Sequence, residues 1–121
     1  MIKKQYKNTL KKYANILAKE GINVDALYLF GSRAKGTSHR YSDFDACVVS
    51  PNFGKNYSQE IVDLMKLTRK ANWLIEPHPY SPEDFYDPTN DFANEIRRTG
   101  IRIIWFILLL LPKNPTNPLL I

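Results

Sequence analysis

The sequence predicts a domain of the α/β or α+β class, a β-sheet with helices packed on one face. Three observations predict it. Apolar residues recur at helical spacing near the N-terminus and again across residues 58–70. Short runs rich in branched and aromatic residues lie between and after them, bounded by glycine, proline and asparagine. The 121 residues suffice for one core and leave little room for a second.

Residues 2–20 read as an amphipathic helix. Tyr6, Leu10, Tyr13, Ala14 and Leu17 share one side, lysines fill the other, and Gly21 ends it. Residues 24–30 read as a short strand. Gly31-Ser32-Arg33-Ala34-Lys35-Gly36 is a turn that opens a short helix. Residues 43–49 alternate and then become wholly apolar, as a central strand does. After a Ser-Pro-Asn-Phe-Gly loop, residues 58–70 form a helix expected to turn Ile61, Val62, Leu64 and Met65 inward. Trp73-Leu74-Ile75-Glu76 gives a third strand, ended by Pro77 and Pro79, because proline cannot donate to a ladder. Ser81-Pro82-Glu83-Asp84 starts a helix with a serine cap and proline in its first turn. A further helix over residues 92–98 stops at Gly100, and an apolar, strand-like run begins at Ile101.

Composition excludes several classes. With 44% hydrophobic residues the chain is no disordered tail. The single cysteine, Cys47, excludes an internal disulfide, sits in a strand too apolar for a reactive thiolate, and fits a reducing, cytoplasmic setting. No secretory leader is expected, since the N-terminus is lysine-rich and lacks an apolar stretch. The longest apolar run, residues 103–111, falls short of the ~20 residues a membrane helix needs. The formal charge of +5 points to an anionic ligand or partner. Much of it precedes Asp43. Direct nucleic-acid binding is not expected, because no aromatic platform interleaves with the basic residues.

The chemistry concentrates in Gly31-Ser32, ten residues, then Asp43-Phe44-Asp45. A glycine turn after a strand lets backbone approach a ligand closely, and N–H groups opening a helix form an anion cradle. Arg33 and Lys35 add positive charge there, so phosphate oxygens are the natural ligand. Two aspartates one residue apart on a strand point to the same side, where they repel unless a cation lies between them. Mg²⁺ is such a cation, held by carboxylates and substrate phosphates. Glu76 ends an apolar strand, and a strand beside residues 43–49 would bring it to the pair as third acid, metal ligand and general base.

Gly31-Ser32-x10-Asp43-x-Asp45 resembles the signature of the DNA polymerase β-like nucleotidyltransferases, and the small size resembles their minimal branch (MNT). The resemblance spans residues 24–103. It implies an α+β fold, a mixed sheet with helices on one face. It also implies that Gly31, Ser32, Arg33 and Lys35 hold nucleotide phosphates, and that Asp43, Asp45 and Glu76 bind Mg²⁺, two ions in all, with ATP as substrate. Such proteins are often antitoxins of toxin–antitoxin pairs that transfer AMP to a tyrosine of a HEPN ribonuclease toxin (AMPylation), which would be the partner here. The competing readings are an aminoglycoside-type enzyme acting on a small molecule and a non-catalytic binding module. Residues 1–103 form the expected nucleotidyltransferase domain. Residues 104–121 are expected to be an apolar extension outside its functional core.

Overall fold

The computed structural model of the chain describes residues 3–104. Along the chain lie α1 (Lys4–Lys19), β1 (Ala26–Phe30), α2 (Ser32–Lys35), β2 (Phe44–Val49), α3 (Tyr57–Thr68), β3 (Ile75–Tyr80), α4 (Pro82–Phe85), α5 (Asp91–Thr99) and β4 (Ile101–Ile104). The strands form one sheet in the order β3-β2-β1-β4. β1 runs antiparallel to β2 and to β4, whereas β2 and β3 are parallel. A parallel neighbour needs a crossover, and α3 supplies it. The fold is therefore α+β with a mixed sheet.

Strand alternation sorts the side chains into two layers. Leu27, Leu29, Phe44, Ala46, Val48 and Ile75 meet Leu10, Tyr13, Leu17 and Leu64 under the long helices α1 and α3. The Tyr13 hydroxyl donates to the Leu64 carbonyl at 2.8 Å, tying those helices together. Burial pushes its phenol pKa up. On the other face Ala26, Tyr28, Cys47 and Val49 pack with Phe85 of α4 and with Ala93 and Ile96 of α5. The helix layer is thus uneven: long helices cover one face, and short ones shield part of the other. Those short helices follow β3 directly, and Ala93 and Ile96, three apart, give α5 one small apolar side to bury. Cys47 is a buried free thiol, and burial raises its pKa, as its apolar strand leads one to expect.

Two elements differ from expectation. β3 does not stop at Pro77 but continues to Tyr80. Its ladder begins with the Phe44 N–H donating to the Leu74 carbonyl at 2.9 Å and closes with the Ser50 N–H donating to the Tyr80 carbonyl at 3.0 Å. With a period of two, Glu76, His78 and Tyr80 turn their backbone groups toward β2. The nitrogens of Pro77 and Pro79 face the open edge, where no donor is required. In α3, Leu64 and Thr68 are buried, but Val62 and Met65 are 45% and 42% exposed. The helix is apolar on two sides, and only the Leu64 side faces the sheet.

Ile104 closes β4. The expected apolar extension otherwise falls on residues 105–121, outside the described residues. Among the described residues no helix is long and apolar enough to cross a membrane.

Candidate active site

The site begins where β1 ends. Gly31 has φ +74°, and a Cβ built there would lie 2.3 Å from Asp45 Oδ2. Both facts demand glycine, since an L side chain is strained at that φ and has no space. The register explains the closeness: Phe30, the last residue of β1, pairs with Asp45. The glycine turn therefore passes directly over the first carboxylate of β2.

Parallel pairing places Glu76 directly opposite Asp45. β3 runs beside β2, as bringing a third acid to the pair requires. Asp43 lies just before β2 rather than in it, and is exposed. It lines, with Glu76, His78, Tyr57 and Trp73, a cavity of about 550 Å³. Phe44, between the aspartates, points into the core. Glu76 feels the convergence. Burial, then the charge of Asp45, then contact with Asp43 raise its pKa, with His78 opposing them. Three carboxylates gathered this way favour a cation among them.

His78, flanked by Pro77 and Pro79, belongs to no motif in the sequence. It lies on β3, and its Nε2 is 3.5 Å from Asp45 Oδ1. Its ring sits edge-on to Phe30 at 4.9 Å between centroids. The spacing Glu76-x-His78 would have signalled it had the proline-interrupted run been read as an edge strand, because alternate residues share a face. One ligand atom each from Asp45, Glu76 and His78 lies within 4.8 Å of the others. His78 Nε2 is buried with no hydrogen-bond partner, the one such side-chain atom among the described residues. The 3.5 Å approach to Asp45 is close enough for charge attraction but is not a hydrogen bond. Hard carboxylate oxygens around an orphaned nitrogen fit a divalent cation.

The family model for the nucleotidyltransferase domain matches residues 10–111. The chain belongs to this family. No curated protein matches it. Among solved structures, a crystal structure of a toxin–antitoxin with AMP-PNP aligns with a TM-score of 0.58 and 20% identity, covering 81% of this chain and 72% of that one. A crystal structure of a mutant of the toxin–antitoxin MntA-HpeT, carrying two aspartate-to-glutamate changes, aligns with a TM-score of 0.57 and 17% identity, covering 83% and 76%. At such identities the likeness is one of fold.

In this nucleotidyltransferase domain the other expected site residues separate. Arg33 is buried, and its Nε and Nη2 donate to the Ser42 carbonyl at 3.1 and 2.7 Å. Its guanidinium stacks over Phe44 at 3.9 Å from the ring centroid and lies 4.9 Å from that of Tyr6. These rings belong to the α1 side of the sheet. Arg33, expected among the phosphate-binding residues, here fastens the loop ahead of Asp43 to the core. Its neighbour Ser42 accepts the His39 N–H on Oγ at 2.9 Å and holds the same loop. Ser32 opens α2, half-buried, and Lys35 is exposed at its end.

A larger groove, about 800 Å³, runs along the outer side of α3 between Val62, Met65, Arg69 and Trp73. It has no acid or histidine in its lining, unlike the smaller cavity. The two share Ile61, Met65 and Trp73.

Proposed function

We propose that this nucleotidyltransferase domain is an antitoxin that transfers AMP from ATP to a tyrosine hydroxyl of a partner protein, a HEPN-type ribonuclease toxin. The observation that carries the reading is the stacking of Gly31 on Asp45 with Glu76 directly across the ladder. It puts a turn suited to phosphates beside a set of carboxylates suited to Mg²⁺. The likeness of fold to toxin–antitoxin structures, one with a nucleotide analogue, supports it. So does the apolar groove with its exposed Trp73, which adjoins the cavity and favours a protein acceptor over a small molecule.

Asp43, Asp45 and Glu76 would hold Mg²⁺, as one ion or two. The metal supplies charge neutralisation on the phosphate oxygens during in-line displacement. Gly31 and Ser32 would offer backbone N–H groups to the phosphates, and Lys35 an exposed charge. Glu76 would take the proton of the attacking hydroxyl. The tyrosine oxygen forms a bond to the α-phosphorus. The bond from that phosphorus to the bridging oxygen breaks, and pyrophosphate leaves with the electron pair.

The test is transfer of label from α-labelled ATP with Mg²⁺ to the purified partner. Label on a partner tyrosine, lost in the Asp43→Asn/Asp45→Asn double variant, is expected. Label on an aminoglycoside without any protein acceptor would move the function to small-molecule modification. Full neutralisation of the toxin by the double variant would reduce it to binding alone.

A further inference from the structure

We propose that His78 is itself a ligand of the site's divalent cation, so that the centre is a mixed nitrogen–oxygen site selective for Mn²⁺ over Mg²⁺. The inference rests on the reading above that the carboxylates hold a cation. It goes beyond that reading in naming a fourth residue and a different metal preference.

Three observations support it. The first is span. Metal–ligand bonds of ~2.1 Å put donors on one ion between about 3 and 4.2 Å apart. The donor atoms of Asp45, Glu76 and His78 lie within 4.8 Å of one another, so a small inward movement closes them on a single ion. The second is the orphaned nitrogen. A buried imidazole nitrogen with no partner carries a desolvation penalty that proteins rarely leave uncompensated. Nε2 of His78 is in that state, beside Asp45 Oδ1 at 3.5 Å yet not bonded to it. A cation between the two satisfies both atoms. The third is how the ring is held. Phe30 stands edge-on at 4.9 Å, and Phe92 approaches to 6.3 Å on a tilt. The backbone adds rigidity, because Pro77 fixes the dihedral between Glu76 and His78, which share a face.

The donor set favours a transition ion over Mg²⁺. Two carboxylates and a neutral imidazole balance a divalent charge, with Asp43 at the mouth of the same cavity. Mg²⁺ takes oxygen donors and keeps its waters, whereas imidazole suits the transition ions, of which Mn²⁺ also accepts carboxylates and phosphates.

The experiment uses the full chain titrated with Mn²⁺, alone and with tripolyphosphate, which brings phosphate oxygens but no nitrogen. Pulsed electron paramagnetic resonance of the bound ion reads ¹⁴N coupling. We expect imidazole coupling in the wild type, replaced by ¹⁵N coupling after ¹⁵N-histidine labelling. It should survive in His39→Ala and vanish in His78→Ala. Mn²⁺ should bind at least tenfold tighter than Mg²⁺ in competition, and His78→Ala should lose at least about tenfold in Mn²⁺ affinity, the floor that loss of even an outer-shell partner sets. Because the wild-type coupling needs no substitution, a poorly folding variant leaves the test intact. Bound Mn²⁺ without nitrogen coupling would overturn the proposal and make His78 a positioning neighbour of Asp45. So would coupling that persists in His78→Ala, or no Mn²⁺ uptake under either condition. AMP transfer with Mg²⁺, measured in parallel, reports on the transferase reading separately. Transfer that persists with an oxygen-only Mn²⁺ site sinks this proposal and leaves that reading standing.

Discussion

The two faces of the sheet differ in what they demand of the same strands. Under α1 and α3, β1 and β2 contribute Leu27, Leu29, Ala46 and Val48, all fully buried. On the opposite face the next residues along are Tyr28, Phe30, Asp45 and Cys47, and the cover is partial. One end of that face is closed by Phe85, Ala93 and Ile96, while the other is left to Asp45, Glu76 and His78. Alternation within one strand thus separates stability from chemistry at a spacing of one residue. The face that can be packed is packed, and the face that gathers like charges is left partly open.

That contrast can be broken or sharpened by substitution. The largest effect is expected on the packed face. Leu27→Ala should cost about 3–5 kcal/mol, a large share of the ~5–15 kcal/mol that holds a typical domain together. Urea denaturation measures the loss, and transfer activity per folded molecule should survive. Gly31→Ala blurs the contrast, because its methyl group strikes Asp45 from a left-handed backbone position. Strain of about 1–3 kcal/mol is expected in denaturation, together with a collapse of transfer. Arg33→Ala sharpens it. Despite its place in the glycine–serine loop, it should lose ~1–3 kcal/mol of stability, through the orphaned Ser42 carbonyl and the emptied stack on Phe44. ATP affinity of the folded protein, read by calorimetry, should hardly change.

The smallest effect lies away from both faces. Partial burial works against the charge on Glu60, but the N–H groups of Gly54, Asn56 and Lys55 outweigh it and hold its pKa below the ordinary value. A lowered folded-state pKa means that the stabilisation is present above the unfolded value and fades as pH falls through the lowered one. Glu60→Gln should therefore lose under about 1 kcal/mol at neutral pH and match the wild type in acid, by denaturation at both pH values.

Much of this was legible beforehand. α1 announces itself through five apolar positions on one side, all of them buried. The turn over Asp45 shows in a glycine placed between a strand and a short helix. Glu76 could be reached as an acid ending an apolar run. What was hidden depended on neighbours. Pro77 and Pro79 read as breakers, and only an edge position, known from the strand order, makes them compatible with a strand. With them His78 was lost. α3 carries apolar residues on two sides, and nothing local says which side the sheet will take. The direction of the Arg33 side chain was likewise open, since a cation near a glycine loop can serve a phosphate or a carbonyl equally well.

The prolines of β3 have a consequence for assembly. On the outward edge of that strand the residues in phase are Ile75, Pro77 and Pro79. The Ile75 N–H is spent on the Asn72 carbonyl at 3.1 Å, and the prolines have none. The edge therefore presents carbonyl acceptors and not one N–H donor. A second strand cannot zip onto it in a regular ladder, neither from another copy nor from an unfolded neighbour. The flank of the sheet that carries Glu76 and His78 is thereby insulated against self-association by strand pairing. A partner reaching the site must do so with side chains, hydroxyls or water rather than by extending the sheet.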